Sequence, residues 1–428
     1  MSERPQHIIQ AANKAAIVFF LQKKNKLAAL FMGLFVLGNV TQAVVRSVVY
    51  NRSDFNAFLR PAIEVRFFDK NFLIDFLFNS YPPFFYTLIS LFSPFALWFS
   101  SLLWALSICL LSYYCFFLCF YFIEKSSGRI VPYKWLSFFI CIPLIATNVH
   151  MGQSNTLVLF LILLGMVGLQ AKEKYSAWIG FAIALKVTPL IIAFFMFLKG
   201  KVRSVGYIAA TTLLLLFLVP IFFYGFEKSM EMNSLWVKNV LAPFFSGQEI
   251  GTSNTGYYHS NQSLDAFINR HFTNYAVEKY GGLHKKIDWV IFSENQAKFV
   301  GMLIKTILVM GMSVLTFWKR NCKTTWFYEL SAWLILLLWI SPSSWINHYI
   351  FTMPAVCCLL LGVDLKKPLQ FKNNFSLWML IWFLFFIHLG YGSYMQSFSP
   401  IFLGSISLLL GCIHLLVKEK KTHMPSIG

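Results

Sequence analysis

Acidic side chains are scarce in this chain: 17 Asp and Glu stand in 428 residues against 36 Lys and Arg, and charged residues of both signs make up only 12%. So thin a charged complement excludes an ordinary soluble surface, because soluble domains carry roughly a quarter charged residues. The shortage of carboxylates also argues against a cation site. No paired Asp or Glu at coordinating spacing occurs in the polar loops, and neither a metal nor another cofactor is expected. Paired cysteine spacing is missing from the extramembrane loops as well. Cys109, Cys115, Cys119, Cys141, Cys357, Cys358 and Cys412 fall inside apolar segments and read as core residues instead of a disulfide framework. No repeat period is visible, which excludes a solenoid. No cleavable signal peptide is evident: the short patch "AAIVFFL" is followed by Lys23, Lys24 and Lys26, so residues 1–26 read as a cytoplasmic amphipathic lead-in.

What the chain has in abundance is apolar sequence, 57% hydrophobic and 18% aromatic. It reads as an all-α polytopic membrane protein. The net charge of +19 does not point to nucleic acid, because the basic residues sit between apolar runs and set topology. Spans are expected at 28–49, 95–123, 204–224, 298–317, 325–341, 345–362, 375–392 and 397–417, with two shorter ones at 134–148 and 154–171, about ten in all. The stretch 176–198 differs. It lies between two basic clusters and carries Lys186 and Pro189 at its middle. A returning pair of half-helices keeps every basic cluster on the cytoplasmic side, and the positive-inside rule favours it over a single crossing. The expected organisation is a membrane domain over 27–224 with its first external loop at 50–83, a large external loop at 225–297 acting as a cap, C-terminal spans over 298–418 and a cytoplasmic tail at 419–428.

The external face then collects several polar constellations. In "VVYNRSDFNAFLRP", Phe55, Phe58, Leu59, Ala62 and Ile63 repeat with helical spacing, while Arg52, Asn56, Arg60 and Glu64 take the opposite face. Ser53 is the expected N-cap, and Pro61 is expected to break or restart the helix. Asp54 in the first turn suits a functional carboxylate and an ordinary acid at a helix N-terminus equally. "YPPFFY", from Tyr81, reads as a helix start within an aromatic belt. "HMGQSN" places His150, Gln153 and Asn155 around a glycine turn between short spans, where they suit a sugar. "LKVTP" puts Lys186 near mid-bilayer, as a phosphate counter-ion or a snorkelling side chain. "SPSSWINHY" offers Trp345 and His348 on the outside face, and "SNQSLDAF" offers Asn261, Gln262 and Asp265, hydrogen-bonding groups of the kind that bind carbohydrate.

In this order the pieces resemble glycosyltransferase family 87, of the multi-span GT-C superfamily. The residues that carry the resemblance are Asp54 with Phe55, "YPP" at Tyr81–Pro83, "GQSN" at Gly152–Asn155, "KVTP" at Lys186–Pro189, "NQS" at Asn261–Ser263 and the "SPxxWxxH" pattern at Ser341–His348. The match weakens after His348. The resemblance implies a GT-C-like bundle, a polyprenyl-phosphate-linked sugar donor, and a lipid-linked or cell-envelope acceptor outside the cytoplasmic membrane of a bacterium. Similar members are α-mannosyltransferases and arabinofuranosyltransferases. The family pattern selects Asp54 as the base.

Chemistry adds the remaining roles. A phosphate leaving group gains charge as the glycosidic bond breaks, so cations are needed there; Lys186 is the first choice, supported by Arg52, Arg60 or Arg66. Tyr81, His150, Gln153, Asn155, Asn261, Gln262, Trp345 and His348 are candidates for sugar or acceptor contacts. One base implies inversion. Retention would call for a second carboxylate, for which Glu64, Asp69 and Asp75 are the nearest in sequence. The nearby arginines are expected to lower the Asp54 pKa. A transporter, a polymerase or ligase using a diphosphate-linked lipid, and a structural assembly protein are the competing readings.

Overall fold

The computed structural model describes residues 26–67, 81–242, 260–273, 291–365, 370, 374–391 and 393–419. The lead-in up to residue 25, the large-loop stretches 243–259 and 274–290, the tail from residue 420, and Asp69 and Asp75 lie outside the described residues. Among the described residues there is no strand, only an isolated antiparallel bridge between Asn261 and Trp345.

Helical structure stands at each of the ten positions where an apolar run predicts a span. Among the described residues, six helices are long and apolar enough to cross a membrane: Leu30–Val48, Leu97–Ser127, Lys134–Met151, Val202–Tyr224, Glu294–Trp318 and Pro400–Lys418. Asn155–Leu169, Trp326–Ile340 and Phe375–Leu389 have 15 residues each. At 1.5 Å per residue such a helix reaches about 22 Å, short of a hydrocarbon core of about 30 Å. Residues 346–362 are assembled from 3-10 turns on either side of the helix Met353–Leu359.

The stretch with Lys186 at its centre is split, as its composition requires. Ala177–Leu185 and Leu190–Leu198 are helices of nine residues each, and Lys186 between them is extended at φ −153°, ψ 124°. Each reaches about 14 Å, half of a bilayer core. Pro189 lacks an amide donor and pushes Thr188 away from helical geometry, so the break is written into local chemistry.

The chain forms two units by internal packing. The first comprises the described residues within Met1–Leu118, Leu144–Leu190 and Val202–Ser253. Here the helix Asp54–Phe67 packs on Pro83–Ile89, and Ala177–Leu185 packs on both Asn155–Leu169 and Val202–Leu213. The predicted apolar face of the Asp54 helix is the buried one: Phe55, Phe58, Leu59 and Ala62 are buried, Ile63 is half-buried, and Arg60 is exposed. Phe55 stacks on Trp104 at 5.5 Å and meets Phe92 edge-on at 5.7 Å. Two expectations change. Pro61 does not break this helix, which continues through it to Phe67. The burial of Phe58, Leu59, Ala62 and Val65 around it, at roughly 1.5–3 kcal/mol for each large side chain, outweighs the missing amide bond. "YPPFFY" does start a helix at Pro83, with Pro82 extended before it, but Tyr81, Phe84, Phe85 and Tyr86 are buried core and not a belt. Tyr81 and Phe85 stack at 4.2 Å, and Phe58 meets Phe85 edge-on at 5.0 Å.

The second unit comprises the described residues within Cys119–Pro143, Ile191–Lys201 and Asn254–Gly428. Pro400–Lys418 packs there against Phe375–Leu389, Trp326–Ile340 and Met353–Leu359. Lys199, which the charge pattern counts among the cytoplasmic topology residues, is instead sealed inside. Its Nζ is 2.8 Å from a Glu329 carboxylate oxygen, with both side chains fully inaccessible, and it also donates to the Lys319 carbonyl at 2.9 Å. Thr325 Oγ1 donates to the same carboxylate at 2.6 Å.

Candidate active site

The site in the first unit is built on the start of the Asp54 helix. Ser53 caps it as expected: its Oγ accepts from the Phe55 N–H at 3.1 Å, and its carbonyl accepts from the Asn56 N–H at 3.1 Å. Pressed against this start is the turn that joins Lys134–Met151 to Asn155–Leu169. Gly152 occupies the left-handed region at φ +67°, and a Cβ there would lie 2.7 Å from Phe55 Cβ and 3.1 Å from Ser53 Oγ. Glycine is required on both counts, backbone and space. Trp104 Nε1 donates to the Gly152 carbonyl at 2.8 Å and pins the turn.

That contact brings the neighbouring polar side chains onto Asp54. Gln153 Nε2 donates to Asp54 Oδ2. Gln153 Oε1 in turn accepts from the Tyr81 hydroxyl at 3.3 Å and from Asn155 Nδ2 at 3.4 Å. Lys186 Nζ donates to Asn155 Oδ1 at 2.8 Å and lies 5.5 Å from the centre of the Tyr81 ring, a cation–π distance. Ser154 Oγ donates to the Tyr81 hydroxyl at 3.4 Å. One network therefore joins Asp54, Tyr81, Gln153, Asn155 and Lys186, residues from four separate motifs.

Burial raises the Asp54 carboxyl above its ordinary value of 3.8, and the Gln153 hydrogen bond with the charges of Arg46 and Lys186 only partly offsets this. The expected lowering by arginines is thus overturned: desolvation wins, and the arginine whose charge reaches Asp54 is Arg46, which the sequence reading does not select. Arg52 is exposed. Arg60 turns to Glu64 at 3.1 Å on the exposed face of the helix, which also occupies one of the carboxylates considered for retention. Arg66 donates to the Ser90 carbonyl at 3.0 Å and lies over the Phe223 ring at 5.7 Å. His150 is half-buried near Arg46, and its buried Nε2 has no hydrogen-bond partner among the described residues. Burial also raises the Tyr81 phenol, and the Asp54 charge adds to it. The signal that would have found Arg46 is its place: a basic residue in the last turn of Lys26–Val48, just ahead of the Asp54 helix.

The second unit gathers the remaining motif residues among themselves. Asn261 bridges to Trp345, and its side chain donates to the Pro342 carbonyl at 3.0 Å and accepts from the Ser344 N–H at 3.0 Å. The Gln262 N–H donates to the Ser344 carbonyl at 2.7 Å, and the Gln262 carbonyl accepts from the Tyr349 hydroxyl at 2.6 Å. "NQS" and "SPSSW" are therefore one folded element. His348 follows in a 3-10 turn, half-buried, its N–H on the Trp345 carbonyl at 2.9 Å.

Comparison with known proteins bears on these motifs. No curated protein and no solved structure matches the chain. The family model of glycosyltransferase family 87 matches residues 78–342. That range begins after Asp54 and holds "YPP", "GQSN", "KVTP" and "NQS", three of which meet in the network around Asp54. Over more than half its length the sequence carries the family's pattern, and the chain belongs to glycosyltransferase family 87.

Proposed function

We propose that this membrane glycosyltransferase moves a sugar, mannose or another hexose or pentose, from a polyprenyl-phosphate donor to a lipid-linked or cell-envelope acceptor. It works at the outer face of a bacterial cytoplasmic membrane, by direct displacement with inversion. The single observation that carries the reading is the network joining the Asp54 carboxylate to Gln153, Tyr81, Asn155 and the Lys186 ammonium.

Asp54 is the general base. A sugar hydroxyl is a weak nucleophile until a base accepts its proton, and a carboxylate raised by burial is the stronger base for it. Gln153 holds the carboxylate by one oxygen and so orients the other. On the leaving side, charge develops on the phosphate as the anomeric C–O bond breaks. Lys186, steered by Asn155 and by the Tyr81 ring, is the cation that stabilises it. The proton passes from acceptor hydroxyl to Asp54, the new glycosidic bond forms, and the lipid leaves as its monophosphate. Trp345 and His348 are proposed for acceptor contacts. The test supplies a panel of polyprenyl-phosphate sugars, with matched diphosphates, to membranes containing the protein and an acceptor extract. Monophosphate release with a product of inverted configuration is expected. Turnover only of diphosphate donors would replace this reading with a polymerase or ligase, and a product of retained configuration would remove the single-base mechanism.

A further inference from the structure

Arg46 and Lys186 are the cations whose charges act on Asp54, and the mechanism above gives a role to Lys186 but none to Arg46. Its backbone is fixed at the start of the Asp54 helix: the Arg46 carbonyl accepts from the Arg52 N–H at 3.0 Å, and the adjacent Ser47 carbonyl accepts from Asn56 Nδ2 at 2.6 Å. Ser101 Oγ donates to Ser47 Oγ at 2.7 Å and ties the same point to a second helix. The end of the first span is therefore rigid, and the guanidinium it carries is held against the glycine turn. There it is half-buried and poorly satisfied. One Nη2 donates to Met151 Sδ at 3.4 Å, and Nε is buried with no hydrogen-bond partner among the described residues. A thioether is a weak acceptor, and a guanidinium offers five donors in a planar fork. Such a group beside a site is stable there if an oxyanion completes it.

The surroundings say which anion. The groups whose charges share this corner are Asp54, His150, Lys186 and the Tyr81 phenol. Lys186 is already engaged by Asn155 and by the Tyr81 ring, while the Arg46 fork is engaged by a sulfur alone among the hydrogen bonds of the described residues. Two cations, one in the last turn of Lys26–Val48 and one in the break between the half-helices, act on one carboxylate. An Arg fork matches two oxygens of a phosphate, whereas an ammonium presents a point charge.

We propose that Arg46 is the bidentate grip on the phosphate of the lipid carrier, with Lys186 supplying the charge at the bond that breaks. The inference rests on the polyprenyl-phosphate reading above. It also explains why a basic residue ends the first span just ahead of the Asp54 helix: a carrier phosphate lies at the headgroup level, where a helix end can reach it.

The experiment measures binding of polyprenyl monophosphate and of the uncharged polyprenol to the full chain in nanodiscs, for wild type, Arg46→Gln and Arg46→Lys. Wild type is expected to prefer the monophosphate by about tenfold or more, the weight of one hydrogen bond to a charged group. Arg46→Gln is expected to lose about 10- to 100-fold in monophosphate affinity with polyprenol affinity unchanged, and Arg46→Lys to fall between. If Arg46→Gln does not fold, the lysine variant carries the test by the same split between phosphate and alcohol. Unchanged monophosphate affinity in the variants overturns the role of Arg46 and leaves the donor class standing. The same holds if turnover falls while phosphate affinity is kept, since Arg46 is then a counter-ion that positions Asp54. Wild type indifferent to the phosphate would remove the donor reading itself, and this inference with it.

Discussion

Replacing Asp54 with asparagine removes the base while keeping the shape around it. The local hydrogen bonds explain why the fold should survive. Gln153 Nε2 donates to Asp54 Oδ2, and an asparagine amide can turn its oxygen to the same donor, so the network through Tyr81 and Asn155 persists. The cap by Ser53 uses its own hydroxyl on the Phe55 N–H and is untouched. The electrostatic sign follows from the raised carboxyl. Above pH 3.8 an Asp in the unfolded chain is ionised, whereas the folded carboxyl keeps its proton to higher pH, so the ionised side chain weighs against folding at neutral pH. The Asp54→Asn substitution relieves that burden, and the melting temperature of the variant at neutral pH is expected to equal or exceed that of wild type. Catalysis should fall by about 10²–10⁴-fold, the span typical of a general base. The assay follows monophosphate release, with kcat and donor KM measured separately; the loss is expected in kcat. The pH profile of the wild type carries the same signature: the rate climbs with pH as Asp54 ionises, and its acid limb lies above 3.8. A folded Asp54→Asn protein that keeps activity within about tenfold of wild type would refute the assignment.

Lys186→Met keeps the length and loses the charge, so turnover should drop about 10- to 100-fold, the weight of a hydrogen bond to a charged group, whereas a merely snorkelling lysine would leave kcat/KM unchanged. Gly152→Ala forces a side chain into φ +67° and to 2.7 Å from Phe55 Cβ, at a strain of about 1–3 kcal/mol; both Tm and activity should fall, and a variant as stable as wild type would show that the turn is not pressed on the Asp54 helix. Glu329→Ala leaves Lys199 sealed without its carboxylate and should destabilise by about 3–5 kcal/mol, while Lys199→Met with Glu329→Leu should recover most of it; equal melting curves for single and double variants would contradict the buried pair. Chelator is expected to leave turnover unchanged, and loss of activity restored by a divalent cation would put a metal into the mechanism.

Local physics in the sequence determined a great deal. Apolar runs and basic clusters marked ten helical segments, the spacing of Phe55, Phe58, Leu59 and Ala62 determined which side of the Asp54 helix is buried, and Lys186 with Pro189 determined a break between two half-length helices. These depend on periods and backbone preferences that act within a turn or two, so they are legible without a fold. Tertiary structure alone decided which groups meet. It carried the helix through Pro61, because neighbouring side chains bury that turn; it sank "YPPFFY" into the core; it paired Lys199 with Glu329; and it made "NQS" and "SPSSW" one element. It also decided the state of Asp54, whose ionisation is a balance between lost water and the charges of Arg46 and Lys186. Desolvation depends on everything packed around a group, and no spacing along the chain reports it.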